Sequence, residues 1–169
     1  MRKVIFLTAV AVLAALGVVG ASALANGNDD DFQARLTSYQ ELPLTLSTTG
    51  RGTFRAELEN GALSYRLTYS GLEGGDALFA HIHLGEQHLS GGVIAFLCGG
   101  GGKDDCPATA GTVTGTIVAA DVIGPAGQGI TAGEFAELVR AMRNGATYVN
   151  VHSEMFPSGE IRGNIRRVD

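Results

Sequence analysis

Along most of the chain apolar and polar side chains alternate with period two, the pattern of strands that bury one face and wet the other. In residues 53–59, Phe54, Ala56 and Leu58 share one side while Arg55, Glu57 and Glu59 share the other. Asn60-Gly61 follows, a dipeptide that accepts the positive φ of a two-residue hairpin turn. Then Leu63, Tyr65, Leu67 and Tyr69 alternate with Ser64, Arg66 and Thr68. Together the two segments predict a hairpin. Residues 32–39 predict a strand before it, and 78–84, 92–97, 112–119, 147–152 and 160–166 predict five more, each short and bounded by glycine, proline or polar turns. Short strands at this spacing predict an all-β antiparallel Greek-key β-sandwich, in which abundant glycine serves the turns.

Residues 131–145 break the alternation. Thr131-Ala132-Gly133-Glu134 reads as a capping box, Phe135, Leu138, Val139 and Met142 fall on one helical face, and Gly145 reads as a left-handed cap. This predicts one amphipathic helix of three turns, inserted before the last two strands, with its stripe serving as core.

The chain has 169 residues, 45% of them hydrophobic, but the apolar share is concentrated at the start. Residues 1–25 join a basic start (Arg2, Lys3), an uncharged apolar stretch and the small-x-small end Ala23-Leu24-Ala25, the three parts of a secretory signal peptide. An uncleaved anchor is the alternative, because residues 4–25 are about long enough to span a bilayer. Residues 26–31, with three consecutive aspartates, read as a flexible acidic leader, and 32–169 as a single domain. Without the first 25 residues the chain carries 10 basic and 17 acidic side chains, a net charge of −7, with Lys103 its single lysine. Nucleic acid and anionic lipid need clustered positive charge, so the net charge disfavours polyanion partners. A secreted or cell-envelope location follows from the signal, with no membrane attachment after its cleavage.

Export changes the reading of the cysteines. Cys98 and Cys106 bracket GGGGKDD, and in an oxidising compartment such a close pair predicts a disulfide. A metal-thiolate pair is the alternative, although it prefers Cys-x-x-Cys spacing and further ligands nearby.

Four histidines remain. His81 and His83 lie two apart in a predicted strand, so both leave the same face about 6 to 7 Å apart at the backbone, close enough to share one metal ion. His152 ends the strand that begins at Thr147, in which Val149 and Val151 face inward, and His88 sits in the loop after the first pair. These blocks are recognisable. Ala80-His81-Ile82-His83 with Gly85, Gly91-Gly92-Val93, Tyr148-Val149-Asn150-Val151-His152 and Pro157-Ser158-Gly159-Glu160-Ile161-Arg162-Gly163 resemble the CHRD domain, the module named after chordin, over about residues 32–165. The resemblance implies an exported all-β domain with an extracellular ligand or partner still to be defined. Chordin's role as a growth-factor antagonist does not carry over to a chain lacking its cysteine-rich modules. His88 and the tetraglycine cysteine loop depart from the family pattern, which makes His88 a secondary candidate.

A more distant resemblance bears on chemistry. Copper,zinc superoxide dismutases, which share a Greek-key sandwich related to the immunoglobulin-like one, carry an H-x-H strand, a later V-x-H strand and a G-x-x-R-x-x-G segment. The resemblance implies copper held by His81, His83 and His152, with Arg162 guiding a small anion. The bridging histidine and the zinc ligands of those enzymes have no counterpart here. A mononuclear copper site is one reading, since imidazole suits copper and three nitrogens converging within about 4 Å could share an ion. The other makes the histidines buried hydrogen-bonding residues that fasten adjoining strands, with Arg162 paired to Glu154 or Glu160. The residues leave both open.

No catalytic residue is assigned. His152, Ser153 and Glu154 are strand neighbours that cannot converge as a triad, and residues 99–102 lack the Gly-Lys-Ser/Thr of a phosphate loop. The two function classes are a non-enzymatic extracellular binding or structural domain and a copper-binding protein with redox or dismutase-like activity.

Overall fold

The computed structural model describes residues 30–168. The expected signal peptide and the first part of the leader lie outside the described residues. The elements run β1 (Asp30–Thr37), β2 (Arg51–Glu59), β3 (Ala62–Ser70), β4 (Ala77–Leu84), β5 (Val93–Cys98), β6 (Gly111–Ile117), α1 (Phe135–Arg143), β7 (Thr147–Ser153), β8 (Ile161–Asn164) and β9 (Arg166–Arg167). The fold is all-β and antiparallel, and every strand that the alternation predicts is present.

Hydrogen bonding follows one path, β5-β4-β7-β8-β1-β2-β3-β6, with β9 added beside β1. This path doubles over into two layers. Their junction is narrow, a single residue pair between Thr37 of β1 and Arg162 of β8, and at the far side β5 and β6 come together so that the sheet nearly closes. Between the layers lie Phe32, Leu36, Phe54, Leu63, Leu67, Ile82, Leu97, Val149 and Ile161, all essentially solvent-free. Tyr65 crosses the core, its hydroxyl donating to the Leu97 carbonyl at 2.7 Å. The helix covers one end with Leu138, Val139 and Met142.

Four details differ from the sequence reading. First, β1 begins at Asp30, which draws Asp30 and Asp31 out of the expected leader. Asp30 is 1% exposed and its carboxylate meets Arg143 of α1 at 2.5 Å and Arg167 of β9 at 2.8 Å, so two cations replace the water it loses. Second, the last predicted strand divides at Ile165, whose N–H turns to Thr147 while Arg166 and Arg167 pair with β1; the helix therefore precedes three strands. Third, the capping box is one-sided. Glu134 accepts the Thr131 N–H at 2.6 Å, but the helix starts at Phe135 and spans nine residues. Fourth, β7 is buried on both faces, where alternation predicts one wet face. Loops from β1 to β2 and from β4 to β5 fold over its outer side, and that roof creates the site.

Candidate metal centre

On β4, Ala80 and Ile82 are fully buried in the core, so strand geometry sends His81 and His83 to the outer face. The register with β7 sets His81 opposite Asn150, His83 opposite Tyr148 and Phe79 opposite His152. Tyr148, Asn150 and His152 therefore project to the same side as the β4 histidines. The three imidazoles are 7 to 8% exposed, and one nitrogen from each lies within 4.8 Å of the others. That cluster is looser than the about 4 Å expected for ligands sharing one ion, so closing on a metal requires a small contraction. His88 stands apart, exposed in the loop with a φ of 69°.

Hydrogen bonds fix the protons. His83 Nδ1 lies 3.0 Å from the Gly91 carbonyl and His152 Nδ1 lies 3.0 Å from the Pro157 carbonyl. A carbonyl only accepts, so both Nδ1 atoms carry hydrogen and both Nε2 atoms present lone pairs. His81 Nδ1 lies 3.1 Å from His152 Nε2 and donates to it in the metal-free protein. The Nε2 atoms of His81 and His83 are then buried with no partner among the described residues. Two buried lone pairs without a donor are costly, and imidazole nitrogens of this kind are donors that a transition metal accepts. Backbone carbonyls on the remote nitrogens are the usual means of orienting such ligands.

The surroundings keep the rings neutral. Burial, reinforced by the neighbouring histidines, pulls His81 down to about 3. Burial also pulls His83 down to about 4, opposed by its bond to Gly91 and aided by His152 and Arg162, and burial lowers His152. Proton competition for these candidate ligand nitrogens is therefore weak at neutral pH. Phe96 meets His81 edge-on at 4.4 Å, and Gly100 and Gly101 of the Cys98–Cys106 disulfide loop lie against the Phe96 ring. A Cβ on Gly91 would run into the Leu84 carbonyl, so glycine is required where the chain turns back to offer its carbonyl to His83.

Arg162 is 2% exposed. Its guanidinium lies 3.5 Å above the Tyr148 ring, and Tyr148 in turn stacks on His83. Nη2 donates to the Leu89 carbonyl at 2.6 Å and the Glu86 carbonyl at 3.3 Å. The expected pairing with Glu154 or Glu160 is absent. Glu160 instead accepts from the N–H groups of Glu73 and Gly74 and from the Ser153 hydroxyl, at 2.7, 3.1 and 2.6 Å. Glu154 accepts from the Asp76 N–H at 3.4 Å. Ser153 and His152 face different partners, as strand geometry requires.

Glu41 is a buried residue that the sequence did not single out. It is 2% exposed, and burial raises its carboxyl to about 7 against the lowering effect of the Asn150 bond at 3.2 Å and of Arg162. Nothing in its irregular segment signals burial. Asn150 had a signal, since it shares its face with His152 two residues away.

A buried three-histidine cluster under the loops of a nearly closed antiparallel sandwich defines the class. The family model of the CHRD domain matches residues 32–165, and the chain belongs to that family. No curated protein and no solved structure matches it. The likeness to copper,zinc superoxide dismutases thus rests on the short sequence blocks alone.

Proposed function

We propose that the chain is an exported CHRD-domain protein that binds one transition-metal ion, copper fitting best, through His81, His83 and His152. The observation that carries this reading is the approach of three neutral imidazoles, one nitrogen of each within 4.8 Å of the others, two of them with Nδ1 held by backbone carbonyls, and the buried Nε2 atoms of His81 and His83 that lack partners among the described residues. Among divalent ions copper binds such nitrogen sets most tightly. Export is supported by the three-part pattern of residues 1–25 and by the Cys98–Cys106 disulfide, which persists in oxidising compartments. Among the described residues no helix is long and apolar enough to cross a membrane.

The role is binding without turnover, since Arg162 is engaged with Tyr148 and two loop carbonyls. The rival reading, a metal-free structural histidine cluster, draws support from the His81 to His152 bond, but it leaves two lone pairs unpaired. Copper loading followed by dialysis decides between them. About one equivalent of retained copper per chain, nitrogen coupling in the paramagnetic spectrum and loss of both in H81A or H152A are expected. Protein that emerges metal-free would overturn the metal reading and leave the structural one.

A further inference from the structure

The outer face of β1, β2 and β3 carries five arginines from four strands. Across it, Arg166 of β9 pairs with Gln33, Gln33 with Arg55, and Arg55 with Arg66, while Arg35 and Arg51 follow at the even spacing that keeps them on the same side. All five are exposed. Among the described residues the ion pairs use Lys103, Arg140, Arg143 and Arg167, and none of the five takes part in one. Arg55 directly opposite Arg66 is a like-charge pair that costs stability in the free protein.

Four of these residues, Arg35, Arg51, Arg55 and Arg166, line an open groove of about 760 Å³ whose wall contains no Asp or Glu among the described residues. Acidic side chains share this face at Asp31, Glu57 and Glu59, the first two lining the neighbouring depression beyond Arg55. The rest of the wall is rich in neutral hydrogen-bonding groups, among them Gln33, Gln40, Thr53, Thr68 and Asn164. Its two aromatic residues, Phe54 and Tyr69, are 0 and 2% exposed and offer no stacking surface.

We infer that this groove binds an acidic polysaccharide, with the guanidinium groups taking successive carboxylates and the amide and hydroxyl side chains taking the sugar hydroxyls. Arginine forks match carboxylate geometry, and amides and hydroxyls both donate and accept as sugar hydroxyls require. Single-stranded nucleic acid is disfavoured as the occupant because sequence-tolerant binding of bases relies on exposed aromatic platforms. Net negative charge disfavours polyanions only when the cations are dispersed; here pairing of distant strands collects them.

Fluorescence anisotropy of the mature protein with a labelled polyuronate oligomer tests the inference, beside neutral dextran and a single-stranded oligonucleotide of equal charge. Binding at low ionic strength is expected, weakened about tenfold or more by the double substitution Arg55→Glu and Arg166→Glu and by added salt. Arg140→Glu, outside the groove, should leave it unchanged, as should H81A, which separates this site from the metal centre. Arg55→Gln with Arg166→Gln replaces the reversal if melting shows that the reversal harms folding. Absence of binding, indifference to both double substitutions, equal binding of dextran, or tighter binding of the oligonucleotide would each overturn the assignment.

Discussion

His83 and Tyr148 stack face to face, their ring centroids 4.7 Å apart and their planes 5° from parallel. The strand order β4-β7-β8 continues the stack with the Arg162 guanidinium, 3.5 Å from the Tyr148 centroid. A neutral imidazole, a phenol and a cation are thus layered in the order of their strands. The phenol also reaches forward, accepting the Gly91 N–H at 3.1 Å, and Gly91 is the residue whose carbonyl orients His83.

Replacing Tyr148 by Phe keeps the stack and removes that anchor. Loss of the two partly buried hydrogen bonds between the phenol and Gly91, one accepted at 3.1 Å and one donated at 3.4 Å, should cost about 1 to 2 kcal/mol, read from urea unfolding. Copper retention should weaken as well, because the loop that aims His83 is loosened. Unchanged competition with a chelator would show that the Gly91 loop needs no help from the phenol.

Acid should destabilise the metal-free protein. Free histidine titrates near 6.5, whereas His81 is drawn to about 3 and His83 to about 4. Between those values the unfolded chain binds protons that the fold excludes, so the stabilising contribution is complete above pH 6.5 and fades as pH falls toward 4 and then 3. Melting temperatures of metal-free protein taken stepwise from pH 7.5 to 4 should fall, and those of H81A should fall less. A flat profile for both would count against buried neutral imidazoles.

Glu41 has the opposite sign. Its carboxyl rises from 4.5 to about 7, so the fold holds a proton that the unfolded chain releases, and stability drops as pH climbs from 4.5 through 7. The isosteric change Glu41→Gln removes this loss while leaving a partner for Asn150. It should therefore raise the melting temperature at pH 8 relative to the parent, with less gain at pH 5. Equal effects at both pH values would place the Glu41 proton elsewhere.

Removing the Cys98–Cys106 bridge by a double alanine substitution should cost about 2 to 3 kcal/mol, the loop-closure value for so short a ring. The glycine loop rests on Phe96, and Phe96 on His81, so copper exchange should also quicken. Gly100→Ala provides a separate check with the disulfide intact, since its Cβ would come within 2.5 Å of the Phe96 ring. Stopped-flow transfer of copper to a chelator measures both.

Strand positions were legible because one wet face leaves a period-two trace: β2 and β3 show it without interruption, and Phe54 and Leu67 meet in the register it implies. The histidine cluster was legible for the same reason, as His81 and His83 share parity and His152 falls in a second such strand. What failed to show was whatever depended on coverage from elsewhere. Asp30 looked like leader because the cations that bury it come from α1 and β9. Glu41 lies in an irregular stretch with no period to interpret, and Arg162 found loop carbonyls instead of the nearby acids. Arg55 and Arg66 could be assigned to wet faces, but that Arg166, from the far end of the sequence, joins them is set by sheet pairing.

The arginine face also gives the molecule an electrical orientation. With a net charge of −5 over the whole chain the protein migrates as an anion. Yet five arginines that join no ion pair among the described residues lie on one side of the domain, outnumbering the acids Asp31, Glu57 and Glu59 on that face, and so draw the centre of positive charge toward it. Such a dipole turns in the field of an approaching polyanion, so the two bodies meet cationic face first and overall repulsion is felt only at long range.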